Sequence, residues 1–239
     1  MIQQTSLSLA LAGFILSGAT AFSAVLIDSA TLNGSFESGS DGAIDLWEPA
    51  FNSNREERLS NNANDGTYSA VIGNTTLEVI QAGETAPLAE PIFNGLALNT
   101  GYTVSAGETF DLSFDWIPLF LWDAEDQIDF RLFTTSDNTT SGTVSEIYVS
   151  AVTGHAQGDG YQTDLDLTGI GTVQAGNIGQ DLWIEFWSST AAGVENVSTG
   201  EFARVDDVRL TAVPEPSTYA LLGGLAALAV VMVRRRLRA

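Results

Sequence analysis

The sequence predicts an all-β fold, an antiparallel β-sandwich, on three observations. Apolar and polar residues alternate with period two in several short runs between Ala30 and Val213. Clusters of Gly, Asn, Asp, Ser and Thr separate those runs. No window of about 12 residues in that stretch carries the 3.6-residue period of an amphipathic helix. Period two leaves one face buried and the other wet, which is the habit of antiparallel sheets.

In chain order, Phe110, Leu112, Phe114 and Trp116 share one face of the first clear strand. Ile128–Phe133 alternates in the same way, with Asp129 and Arg131 opposed to Ile128, Phe130 and Leu132. Asp164–Leu167 and Leu182–Trp187 follow, and Val205–Leu210 alternates imperfectly. Turns are expected at Asn61–Gly66, Thr134–Gly142 and Gly154–Gly160. The segment Asp164-Leu-Asp-Leu-Thr-Gly169 begins like a calcium-binding EF-hand loop. Ala175 stands where the bidentate Glu belongs, so a strand is expected there.

Composition excludes several function classes. The 239-residue chain has no cysteine, which removes disulfides, cysteine-based zinc sites and thiol catalysis. Its 30 acidic residues face nine basic ones, all Arg. Between Val25 and Val213 there are 29 acids against five Arg, a net of −24. Such a surface repels phosphate backbones, so nucleic acid is not an expected partner. His155 is the only histidine and sits in a Gly-rich loop, and no metalloprotease, phosphate-loop, dinucleotide or nucleophile-elbow motif is present. The chain is therefore read as non-catalytic.

The two ends differ from the middle. Leu7–Phe22 is an uncharged apolar run followed by small residues, which reads as a signal helix cleaved after Ala21 or Ser23. At the other end, Val213-Pro-Glu-Pro-Ser217 cannot continue a strand ladder. Tyr219–Val233 then runs without a charge into Arg234, Arg235, Arg236 and Arg238. As a helix this run is about 22 Å long, a short transmembrane segment with its Arg cluster on the cytoplasmic side. The expected organisation is a signal peptide over 1–23, a β-sandwich over 24–212 and a tail over 213–239.

The tail resembles the PEP-CTERM sorting signal: Pro214-Glu215-Pro216, an apolar segment, then Arg234–Arg238. The resemblance implies processing by an exosortase near Pro214, Glu215 and Pro216, with Arg234, Arg235 and Arg236 as part of the signal. It implies anchoring in the inner membrane before processing, then release to the cell surface or a biofilm matrix. The middle resembles carbohydrate-binding modules of the galactose-binding-like jelly roll in four stretches. These are Leu32-Asn-Gly-Ser-Phe-Glu-Ser38, Asn64–Val71, Tyr161–Thr168 and Phe202–Leu210. The resemblance implies a jelly roll that binds extracellular polysaccharide. A structural or adhesive envelope protein without a sugar site is the alternative, and a hydrolase is a third reading.

Two sets of site residues are expected. Trp183, Glu185 and Trp187 share one face of their strand. Taking charge as the mark of the wet face, these residues and Arg131 form an exposed sugar platform. Trp122, in the apolar loop Ile117–Trp122, is a further candidate. The resemblance also implies one structural calcium where the opening strand, the following turn and the closing strand meet. Its candidate ligands are Glu37, Asp65 and Asp206, helped by Asp207 or a backbone carbonyl near Ser35. Calcium wants six to eight oxygens.

Overall fold

The computed structural model describes residues 23–40, 43–51, 53–60, 63–77, 87–139, 142–190 and 200–214. Phe22–Pro214 is one compact unit. The expected signal helix and apolar tail segment, with Glu215, Pro216 and Arg234–Arg236, fall outside the described residues. Among the described residues no helix is long and apolar enough to cross a membrane.

Among the described residues fourteen strands follow one another: β1 (Ala24–Ile27), β2 (Gly39–Ser40), β3 (Ala43–Ile44), β4 (Glu48–Pro49), β5 (Arg58–Leu59), β6 (Ser69–Leu77) and β7 (Pro87–Asn94). Then come β8 (Leu96–Thr103), β9 (Thr109–Pro118), β10 (Asp126–Thr135), β11 (Val144–Val152), β12 (Gln162–Ile170), β13 (Asp181–Thr190) and β14 (Phe202–Val213). The larger sheet runs β12-β9-β14-β6-β5, with β1 also on β14 and β7 on β6. The smaller runs β11-β10-β13-β8-β4, and β2 and β3 form a hairpin. Every strand pairing is antiparallel. The described part is thus the all-β sandwich expected, and Asp164–Gly169 is strand, within β12.

The core lies between the sheets. The larger contributes Phe110, Leu112, Phe114 and Trp116 from β9. The smaller contributes Ile128, Phe130 and Leu132 from β10 and Leu182, Ile184 and Phe186 from β13. The Phe114 ring bridges the layers, edge-on to Phe130 at 5.3 Å and to Phe186 at 5.1 Å. Each such pair adds about 0.5–1.5 kcal/mol beyond its burial.

The irregular alternation at Val205–Leu210 has a backbone cause. Register with β9 slips between Asp206 and Arg209, and Asp207 has a positive φ of 47°. This bulge inserts a residue, so that Val205 and Val208 are both buried. It also sets the two neighbouring aspartates in different surroundings. Asp206 is fully buried, whereas Asp207 is half-buried and pairs with Arg209 at 2.7 Å.

Candidate functional site

On the smaller sheet, four cross-strand pairs align on the face away from the core: Gln127–Ser189, Asp129–Trp187, Arg131–Glu185 and Phe133–Trp183. Exposure falls along this row. Gln127, Asp129, Arg131 and Trp187 are half-buried, whereas Phe133 and Trp183 are buried. Trp183 is 3% exposed and stacks on Phe133, with centroids 6.0 Å apart. The covering group is Phe51, just after β4. Its ring meets Phe133 edge-on at 5.4 Å, and its N–H donates to Glu185 Oε1 at 2.5 Å.

The expectation of an exposed platform is therefore corrected. Glu185 is 1% exposed, because Arg131 donates to its Oε2 at 2.5 Å from the neighbouring strand while Phe51 roofs it. Burial raises the Glu185 pKa even against the pull of Arg131. The Arg131 guanidinium lies 4.8 Å from the Phe133 ring centre, 5.3 Å from Phe51 and 5.4 Å from Trp187. It also reaches Glu146 Oε1 at 3.4 Å. A cation held by carboxylates and three rings is a rigid support. Trp122 is 1% exposed and belongs to the core, since the loop folds back with Gln157 N–H donating to the Trp122 carbonyl at 2.9 Å.

The other end of the row is half-buried rather than covered: Trp187, Asp129 and Gln127, with Arg131 behind them and Ser189 and Asp129 Oδ2 buried among them. Gln127 Nε2 donates to Asp129 Oδ1 at 3.0 Å and to Ser189 Oγ at 2.7 Å, which fixes the amide. A half-exposed indole beside an amide, a carboxylate and a guanidinium offers a stacking surface with hydrogen-bonding groups at its rim. Gln127, Asp129, Ser189 and Phe51 were not among the residues expected. Period two extended back from Arg131 through Asp129 reaches Gln127, so that signal was present. Phe51 gave none.

The calcium candidates do come to one turn, but not as a ligand set. Glu37 Oε1 accepts the N–H groups of Thr67 at 2.7 Å and Tyr68 at 2.8 Å. Asp206 Oδ2 accepts those of Asn64 at 2.7 Å and Asp65 at 3.0 Å, and its Oδ1 accepts that of Asp207 at 2.8 Å. Asn64 Nδ2 donates to Asp115 Oδ2 at 2.5 Å. Asp65 itself is exposed, and Ser35 is buried. Gly66, at φ 69°, lets the turn press against Glu37, whose carboxylate fills the space a Cβ would need. The carbonyls of Phe36, Glu37, Gly39 and Ser40 are gathered by the Arg58 guanidinium, which stacks 3.9 Å from the Tyr68 ring centre. N–H donors thus occupy Glu37 Oε1 and both Asp206 oxygens, and Arg58 takes the carbonyls beside Glu37. Among the described residues no group of three acidic, His or Cys side chains is placed to hold a metal. Glu37, Asp65 and Asp206 are thus not gathered into one group of three carboxylates.

Burial pushes the Asp206 carboxyl up to about 6 despite its three N–H donors. Arg204, 2% exposed on the same strand, is lowered by burial to about 10. His155 lies 3.4 Å from Asp159 and edge-on to Trp116.

No curated protein sequence matches the chain. Among solved structures, the chain is similar to the CBM22-1 xylan-binding domain from Paenibacillus barcinonensis Xyn10C. Identity is 13% and the TM-score 0.42, over 79% of this chain and 94% of that one. It is also similar to TmCBM61, solved with β-1,4-galactotriose, at 13% identity and TM-score 0.39, over 74% and 94%. A third is the family 16 carbohydrate-binding module 2, at 16% identity and TM-score 0.39, over 74% and 96%. A family model matches residues 212–236, beginning on the last two residues of β14: the chain carries a PEP-CTERM protein-sorting motif, the mark of an exported protein.

Proposed function

We propose that this chain is an exported, non-catalytic protein of the cell surface or biofilm matrix. An exosortase processes its tail, and the sandwich binds extracellular polysaccharide. The sorting motif at 212–236 carries the reading, since it starts where the last strand ends. In this reading the protein is held in the inner membrane by its tail until cleavage near Pro214–Pro216 frees it. The sugar contact belongs to Trp187, with Gln127, Asp129 and Arg131 at its rim. The Trp183–Phe133 stack and the Arg131–Glu185 pair hold that surface flat.

The test is a glycan array probed with the mature secreted protein. Trp187→Ala should abolish or weaken binding at least about tenfold with little change in melting temperature. Trp183→Ala, in a packed cluster, should instead cost about 3–5 kcal/mol of stability. Array binding unchanged by Trp187→Ala would reject the sheet face. No binding to any glycan would favour the structural or adhesive alternative.

A further inference from the structure

The β9–β10 turn carries an apolar tip that the Trp187 surface does not use. Phe120 and Leu121 are each 55% exposed. The Phe120 ring stacks on Phe202 at the start of β14, with centroids 6.1 Å apart and planes 20° apart. Backbone bonds hold this pair rigidly. Leu119 N–H donates to the Phe202 carbonyl at 3.1 Å, and Phe202 N–H to the Phe120 carbonyl at 3.3 Å. Leu121 N–H donates to Gln157 Oε1 at 3.3 Å. Leu121 has φ 59°, a left-handed conformation that glycine adopts freely and other residues only at some cost, as Leu32 and Leu46 also do here. The Leu121 side chain lies against Gly200 and is otherwise exposed, so that it and Phe120 form one apolar tip.

Carboxylates surround the tip. Asp123 and Glu125 are exposed and follow Leu121 in the chain, Glu201 precedes Phe202, and Asp126 is buried beneath. These groups share one field: burial pushes Asp126 up to about 6, with repulsion from Glu201, Asp123 and Glu125 added. Neither Phe120–Phe130 nor Glu201–Ala203 contains an Arg.

We propose that this tip is a second binding site, for an amine-bearing polysaccharide built of 2-amino-2-deoxyhexose units. The C–H face of one pyranose stacks on Phe120 and Leu121, and its ammonium groups meet Asp123, Glu125 and Glu201. One flat ring and one leucine match a single sugar face. A folded protein partner would need about 800 Å² on each side. The site stands apart from the Trp187 surface and does not depend on it.

The experiment is calorimetric titration of the mature secreted protein at pH 6 with three probes: a glucosamine hexasaccharide, its N-acetylated counterpart and oligolysine. The glucosamine chain should bind, and raising salt from about 50 to about 500 mM should weaken it. The N-acetylated chain should bind at least about tenfold more weakly, as should the glucosamine chain to Phe120→Ala or to Asp123→Asn/Glu125→Gln. Leu121→Gly relieves the backbone strain, so it should weaken binding while the melting temperature holds or rises. Trp187→Ala should leave this binding unchanged. Equal affinity for the two hexasaccharides, no binding of the glucosamine chain, or no effect of Phe120→Ala would each overturn the proposal. Tighter oligolysine binding lost with Phe120→Ala would make the tip a basic-peptide site instead. Loss with Trp187→Ala alone would move the binding to the sheet face, overturning the tip and leaving the first reading intact.

Discussion

Arg131→Met should be among the most damaging single substitutions in the smaller sheet. It leaves the Glu185 carboxylate, 1% exposed, with the Phe51 N–H as its remaining donor. Removing one partner of a buried pair costs about 3–5 kcal/mol, because the other charge stays desolvated. For a domain of this size each kcal/mol lowers the melting temperature by about 2–4 °C, so the expected drop is about 6–20 °C. In Arg131→Met/Glu185→Leu no charge is stranded. The remaining loss is the unsatisfied Phe51 N–H, about 1–3 kcal/mol. The double variant should therefore be more stable than the single one, a reversal that simple loss of packing does not produce. Thermal and urea unfolding of the parent, both single variants and the double variant give the coupling energy directly. A single variant within about 1 kcal/mol of the parent, or a double variant no better than Arg131→Met, would refute a buried pair roofed by Phe51.

The domain should gain stability as pH falls from 7 towards 4. Asp206 has a folded pKa of about 6 against about 3.9 unfolded, so its contribution is complete below about 4 and lost as pH rises through 6. Two pKa units correspond to at most about 3 kcal/mol, and Asp206→Asn should flatten the slope of melting temperature between pH 5 and 7. Calcium should leave the melting temperature unchanged between excess chelator and millimolar ion, because N–H donors already occupy Glu37 Oε1 and both Asp206 oxygens. A rise equivalent to about 2.7 kcal/mol, that of an ion at 100 times its dissociation constant, would restore the ion.

Period two located the main strands because each buries one face, as Phe110, Leu112, Phe114 and Trp116 show. The same rule misplaced the platform. A charge marks the wet face only while water solvates it, and Glu185 is solvated by Arg131 and a backbone N–H instead. Neither partner is visible in its own strand: Arg131 is 54 residues away and Phe51 is 134. Trp122 was misread for a similar reason, since its burial depends on a loop contact from Gln157. At the calcium candidates the sequence brought the right segments together, but not the competition for their oxygens. That competition comes from the N–H groups of Asn64, Asp65, Thr67, Tyr68 and Asp207, whose aim no spacing pattern displays. The bulge at Asp207 did leave a trace, the break in alternation between Val205 and Val208.

Export and tail processing are tested most directly by the intact mass of the protein recovered from outside the producing cells, with and without the exosortase. The account predicts an extracellular chain that begins near Ser23 and ends near Pro214–Pro216, lacking Arg234–Arg238. It predicts a full tail retained in the membrane fraction when the exosortase is absent. An extracellular protein that keeps its Arg cluster, or identical masses in the two strains, would contradict it.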